Sequence, residues 1–287
     1  MSQENFFEQP RVGVAYNHYI QSLSKEQLDI IDYIEIPIEL LNYDKSILSN
    51  LPKKPVILHC ASLSLGGYVP PGENTVKQLG KILNKVSSPW LGEHISFVLA
   101  ERIGDNFMEE YAPGEPYNIG FTMSPVMNME SVDNIIRNVD HYSKMYNKTI
   151  ILENPPVYFS MPGSTMNQVE FINTICDRSS VGLLLDLAHF LITAKNCRFN
   201  PKEKIKRLPL HKVKEIHISG VSEDKDLLWD NHADTAPDII FELLDIVLQH
   251  GNPSAVTLEY NWDSNFPWSL LERDILYVKE KMKLTAC

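Results

Sequence analysis

Eight short apolar runs recur along the chain, most of them separated by stretches with helical spacing, and this alternation limits the fold more than any other feature. The runs are Val12–Tyr16, Tyr33–Ile38, Pro55–His59, Trp90–His94, Thr149–Glu153, Gly182–Asp186, Val213–Ser219 and Ala255–Tyr260. Apolar runs this short, bounded by turn residues, read as strands buried on both faces. Between them, Ser24 heads Lys25-Glu-Gln-Leu28 as a helix cap, because its hydroxyl can accept from the first free amides. Asn74–Val86 sets Val76, Leu79, Ile82 and Leu83 on one helical stripe. Ser131–Met145, Met166–Cys176, Pro237–Leu248 and Pro267–Lys281 are further helices. Strands alternating with helices pair in parallel, so the spacing predicts an α/β fold, a TIM-type (β/α)8 barrel. With 287 residues and no composition break, short repeat or low-complexity tract, a single barrel domain over 1–287 is expected. One stretch, about 95–126, holds Gly, Pro and aromatic residues without clear periodicity and reads as a lid or substrate loop.

Lys and Arg total 26 against 37 Asp and Glu, a formal charge of -11. That balance argues against a general phosphate-backbone binder, which needs a basic face, so no nucleic-acid partner is expected. The N-terminal Met-Ser-Gln-Glu-Asn is polar and acidic, without signal-peptide character, and no apolar run approaches the ~20 residues of a membrane span. Cys60, Cys176, Cys197 and Cys287 show no C-x-x-C spacing, so reduced thiols in a cytoplasmic protein are expected.

The C-terminal ends of the predicted strands carry the chemistry. They deliver His59, His94, Glu153 followed by Asn154, Asp186 with His189 three residues on, His217, and Glu259. The loop Trp229-Asp230-Asn-His232 adds an Asp-x-His pair. In a barrel of this kind those ends meet at one mouth. Singly, each has an ordinary explanation: a satisfied structural histidine, a turn before Pro155, an acid paired with Lys. Together they bring five imidazoles and four carboxylates to one place. Converging carboxylates without cations repel and must take up protons. Nine donors exceed the roughly four to six that one first-row metal takes, so bridging carboxylates and two or three ions are expected. Cys60 follows His59 directly, and strand alternation turns it away from the site. A nitrogen and oxygen donor set suits iron, manganese or zinc. His18, His141, His211 and His250 lie in helix or loop contexts and read as surface residues.

The segments Ile57-Leu-His59-Cys60-Ala-Ser-Leu-Ser-Leu-Gly66, Glu93-His94-Ile-Ser-Phe97, Leu152-Glu153-Asn154-Pro-Pro-Val-Tyr158, Leu184-Leu185-Asp186-Leu-Ala-His189, Glu215-Ile-His217-Ile-Ser-Gly220, Trp229-Asp230-Asn-His232 and Leu258-Glu259-Tyr-Asn261 share an order and spacing with a known family. They resemble the multinuclear non-haem iron-dependent oxidative enzymes of methanobactin and thiaglutamate biosynthesis, within the xylose-isomerase-like TIM-barrel superfamily. The resemblance runs from about Gly13 to about Glu272. It implies two or three iron ions, use of dioxygen, a Cys-containing ribosomally made precursor peptide as substrate, and a small partner protein that presents the peptide. Many relatives carry Asp-Val-Asn-Asn where this chain has Asp186-Leu-Ala-His189. The departure restores the histidine of the wider superfamily, and the nine donors are also similar to the trinuclear zinc site of endonuclease-four-like enzymes.

The expected function is therefore a multinuclear iron oxidase or oxygenase that modifies a peptidyl cysteine with dioxygen. The expected metal ligands are His59, His94, Glu153, Asp186, His189, His217, Asp230, His232 and Glu259, with no catalytic residue singled out beyond them. Asn154 is expected beside them as a support for the ligands or a substrate contact. Zinc or manganese is the alternative metal. A trinuclear-metal phosphodiesterase and a two-metal sugar isomerase are the alternative enzymes, and a metal-binding scaffold without activity is the non-enzymatic one.

Overall fold

The computed structural model describes residues 9–101, 115–232, 235–262 and 266–285. Eight parallel strands close into a barrel: β1 (Arg11–Ala15), β2 (Ile34–Pro37), β3 (Val56–Cys60), β4 (Leu91–His94), β5 (Ile150–Glu153), β6 (Gly182–Asp186), β7 (Val213–Ile218) and β8 (Ala255–Leu258). Each strand pairs with its neighbours in sequence, and β8 closes on β1, with Val12 opposite Val256. This is the TIM-type architecture that the alternation of runs predicts. The Ser24 cap also forms: its hydroxyl accepts from Gln27 N, and the Gln27 side chain accepts from Ser24 N. Among the described residues no helix is long and apolar enough to cross a membrane.

The barrel interior separates into layers because inward-facing residues recur every second position. Tyr33, Ile57, Trp90, Ile151, Leu184 and Ala255 form an apolar cluster of their own, distinct from the larger core between strands and helices. Two positions further along the same strands stand Glu35, His59, Gly92, Glu153, Asp186 and Thr257. The interior thus changes from apolar to charged within one pleat. The lower layer seals the barrel, and the upper layer opens at the C-terminal mouth. Cys60 points the other way and joins the outer core, where its thiol donates to Glu93 Oε2 at 2.8 Å.

Two antiparallel pairs rise above the barrel. Residues 97–100 pair with 117–123, so part of the stretch expected as an irregular lid or substrate loop is a β-ribbon. Residues 102–114 of that stretch lie outside the described residues. The second pair is a hairpin of 221–224 with 227–230, turned at Lys225 and Asp226, whose φ angles are 50° and 68°. Two successive positive φ values make a tight turn that matches strand twist, a place where Asn-Gly is usual. A Lys-Asp turn gives no such sequence signal, and the hairpin is not among the eight predicted strands.

Glycine 92 is where the upper layer is most tightly fitted. A Cβ there would lie 2.6 Å from His59 Cδ2 and 3.1 Å from Leu184 Cδ1. The His59 ring therefore occupies space that a side chain at 92 would take. Gly92→Ala should cost about 1–3 kcal/mol through overpacking and push His59 off Glu153. Chemical denaturation and metal content of the purified variant check this, and wild-type values for both would contradict it.

Candidate metal centre

All nine predicted donors meet at the barrel mouth. Asp186 lies opposite His217 in the β6–β7 register, and His94 lies opposite Glu153 in the β4–β5 register. Glu153 is central. Its Oε2 lies 2.7 Å from His59 Nε2 and 3.1 Å from His94 Nδ1, while its Oε1 lies 3.1 Å from His189 Nδ1 and 3.8 Å from His217 Nδ1. Asp230 joins two imidazoles, with His189 Nε2 at 3.0 Å and His232 Nε2 at 2.8 Å. Glu259 Oε2 sits 3.1 Å from His217 Nδ1. Three groups have donor atoms close enough to share an ion: His59, His94 and Glu153; His189, Asp230 and His232; and Glu153, Asp186 and His189. A fourth such group is Glu35, His217 and Glu259.

Local structure explains how each side chain is aimed. Asp186 ends β6 and caps the helix Leu187–Asn196, with Oδ1 accepting from His189 N at 2.6 Å. The Asp-x-x-His spacing is thus partly a helix-cap geometry, since a cap carboxylate reaches the amide three residues on. That leaves Oδ2 free to face the pocket. His232 holds a left-handed backbone, φ 53°, in which a non-glycine residue is strained. Its carbonyl accepts from Asn261 N at 2.6 Å, which ties the loop to the end of β8.

His189 Nδ1 lies 3.0 Å from the Asn154 carbonyl. An imidazole that donates from Nδ1 keeps its lone pair on Nε2, and Nε2 is the atom that faces Asp230. His189 accordingly fits the group with Asp230 and His232 rather than the one with Glu153 and Asp186. Asn154 carries two roles in the sequence reading, and its position is that of a support. It is fully buried, its Nδ2 donates to Asp186 O and its Oδ1 accepts from Asp186 N, both at 2.9 Å. Each amide end thus holds the Asp186 backbone, which positions that donor.

The electrostatics match a site built for cations. Burial pushes Glu153 up, but His94, His189 and His59 outweigh it and hold the carboxyl well below the usual range. Asp186 has less help, and its burial lifts it to about 7. Burial pushes His59 and His232 down, yet Glu153 and Asp230 carry each to about 9. Burial does win at His94, which falls to about 4. Protonated rings are therefore what balances the acids when no other cation does so. Asp186 Oδ2 is buried without a hydrogen-bond partner, while His94 Nδ1, His217 Nδ1 and Asp230 Oδ1 meet only the acid–imidazole contacts given above. An unpartnered buried polar atom is costly, and ligation would satisfy it. The residues present fit a multinuclear centre.

Exposure gives the site a direction. His217, Asp186 and Glu153 are buried to within 1%, whereas the side chains of Asp230 and His232 are 22% and 28% exposed. The open edge lies beside the hairpin, where the Tyr158 and Trp229 rings pack with a 30° tilt and centroids 5.0 Å apart. The predicted surface histidines, His18, His141, His211 and His250, are all exposed. Glu35 was not among the expected site residues, although it is 1% exposed and lies 3.1 Å from His217 Nε2. Its signal is an acid between Ile34 and Ile36 in a strand buried on both faces, where a lone charge needs a partner.

A model of the family described as RiPP precursor modification enzyme MbnB/TglH/ChrH matches residues 11–282. The chain belongs to this family. Among its relatives, a UPF0276 protein of Anaeromyxobacter sp. (strain Fw109-5) is 23% identical over 261 residues, covering 89% of this chain and 86% of that one. A UPF0276 protein of Paraburkholderia phytofirmans is 26% identical over 231 residues, covering 77% and 69%. Two solved structures share the barrel. They are 3-keto-D-glucoside 4-epimerase YcjR from E. coli (TM-score 0.53, 14% identity, 95% and 100% covered) and a xylose isomerase domain containing protein from Salmonella typhimurium LT2 (TM-score 0.53, 13% identity, 98% and 93% covered). At such identities the likeness is one of fold, a TIM barrel. The family is one of enzymes that modify RiPP precursor peptides.

Ions and protons compete for this pocket, and the sign follows from the raised imidazoles. His59 and His232 rise from 6.5 to about 9, so their pairing with acids stabilises the ion-free protein fully below about pH 6.5 and is lost as pH climbs through 9. Metal binding must release those protons. Calorimetric titration of ion-free protein with zinc at pH 7.5, in buffers of different ionisation enthalpy, should report at least one proton released per chain. The ion-free melting temperature should fall between pH 7 and pH 9.5 while that of the zinc form changes less. Zinc binding with no proton release would contradict the assignment.

Proposed function

We propose that this protein is a multinuclear iron-dependent oxidase or oxygenase that modifies a cysteine residue of a ribosomally made precursor peptide with dioxygen. Cysteine is the electron donor and dioxygen the electron acceptor. The observation that carries this reading is the convergence of nine nitrogen and oxygen donors around Glu153 in a chain of the MbnB/TglH/ChrH family. One ion would be held by His59, His94 and Glu153, a second by Glu153, Asp186, His217 and Glu259, and a third by His189, Asp230 and His232. Ferrous ions there would supply a site for the substrate thiolate and for the binding and reduction of dioxygen.

The chain's own residues divide the remaining work. Three divalent ions would bring roughly six positive charges against the four carboxylates, a surplus that would favour an anionic thiolate over a neutral thiol. Glu153 would serve two ions, since its Oε2 faces His59 and His94 while its Oε1 faces His189 and His217. The apolar layer of Tyr33, Ile57, Trp90, Ile151, Leu184 and Ala255 closes the barrel beneath and excludes water from that side. A peptide must enter at the open edge near Asp230 and His232, past Tyr158 and the 42% exposed Trp229. A small partner protein would present it there, in keeping with the resemblance.

Protein purified without oxygen should carry two to three irons per chain. It should consume dioxygen only when a Cys-containing precursor peptide is present, and the peptide should change in mass. A zinc-only protein that never consumes oxygen with candidate peptides would overturn the reading. Asp230→Ala should lower the metal content by about one ion per chain while circular dichroism stays that of the wild type. Unchanged metal content would remove the third position from the scheme.

A further inference from the structure

Glu35 and Glu215 are buried acids beside His217 that the nine-donor scheme does not use, and Glu35 is the nearer, 3.1 Å against 3.9 Å from Nε2. It sits on β2, opposite Ala15 of β1 and Ile57 of β3, in the same inward layer as His59 and Glu153. Its Oε2 lies 3.1 Å from His217 Nε2 and also accepts from Thr257 Oγ1 at 2.5 Å. Thr257 is itself held by Tyr33, whose hydroxyl lies 2.7 Å from Oγ1. The carboxylate is therefore fixed from below. On the other side of the ring, His217 Nδ1 faces two acids of the donor set, Glu259 Oε2 at 3.1 Å and Glu153 Oε1 at 3.8 Å.

A neutral imidazole carries one proton on one of its two nitrogens. We propose that Glu35 is a positioning residue: it accepts the Nε2 proton of His217 and so leaves Nδ1 as the free lone pair aimed among Glu153, Asp186 and Glu259. This rests on the multinuclear reading given above. His189 meets the same requirement in the opposite sense, giving its Nδ1 proton to the Asn154 carbonyl and keeping Nε2 for Asp230. Two hydrogen bonds thus allot two histidines to two different ions. A carboxylate behind a ligating histidine also raises the basicity of the ring and fixes its orientation. Glu35 additionally stands within ligand distance of His217 and Glu259. Direct ligation by Glu35 would need the metal on Nε2 and the ring proton on Nδ1, so the site of that proton separates the two arrangements.

The test uses the full chain loaded with zinc, which is diamagnetic, and histidine labelled with nitrogen-15. In the wild type the His217 ring should show a proton on Nε2 and none on Nδ1, its signal assigned by its loss in His217→Gln. In Glu35→Gln, whose amide keeps the shape and a weaker acceptor, the Nε2 proton resonance should shift. One zinc per chain should then be lost to a chelator about 10- to 100-fold faster than from the wild type, the range expected for loss of such a support, with the other ions retained at the wild-type rate. Glu35→Leu, which removes the acceptor, should exceed Glu35→Gln in this loss. A His217 ring protonated on Nδ1, or zinc loss from Glu35→Gln at the wild-type rate, would overturn the role of Glu35 and leave the metal centre standing. A wild-type chain that takes up no zinc at these residues would overturn both.

Discussion

Everything at the mouth of this barrel depends on how four acids are kept together in a largely buried pocket. Glu153, Asp186, Asp230 and Glu259 lie within reach of one another's imidazole partners, and the two deepest are almost wholly buried. Carboxylates so placed need positive charge, and the chain contributes no Lys or Arg to them among the ion pairs of the described residues. Four raised imidazoles, His59, His189, His217 and His232, stand in that position instead. Imidazole supplies either a proton or a lone pair, so the same ring balances an acid without metal and ligates beside it with metal. That double capacity lets the pocket exist in an ion-free chain and still fit cations.

The barrel makes the arrangement possible by layering. A change from Ile57 to His59, from Ile151 to Glu153 and from Leu184 to Asp186 takes the interior from a plug to a donor ring in a single pleat. The step is abrupt because inward positions recur every two residues. The plug keeps solvent from below, and the hairpin that carries Trp229 and Asp230 builds one wall above. Glycine 92 leaves the space that His59 fills, and Asp186 serves at once as helix cap and donor.

Much of this was legible in the sequence, for a physical reason. Strands buried on both faces leave uninterrupted apolar runs, and a polar residue at the end of such a run stands out. His59, His94, Glu153, Asp186, His217 and Glu259 were visible by that rule alone. Glu35 was not, because it stands inside its strand, ahead of Ile36 and Pro37, and the rule looks only at ends. The hairpin at 221–230 was hidden by a Lys225-Asp226 turn without glycine or asparagine. The ribbon built from 97–100 and 117–123 was hidden by its β-bulge and by the length of chain between its strands. The allotment of His189 to one group rather than another depends on a backbone carbonyl, that of Asn154, which leaves no trace in residue identity.

The central claim is that several cations, not one and not protons alone, hold these side chains together. Anomalous diffraction at the iron edge, from crystals of protein purified and grown without oxygen, tests it most directly. At least two separate peaks are expected among the nine donors, one bounded by His59, His94 and Glu153 and the next sharing Glu153. A single peak, or a pocket free of anomalous signal in which His59 and His217 remain paired with Glu153 and Glu259, would contradict it.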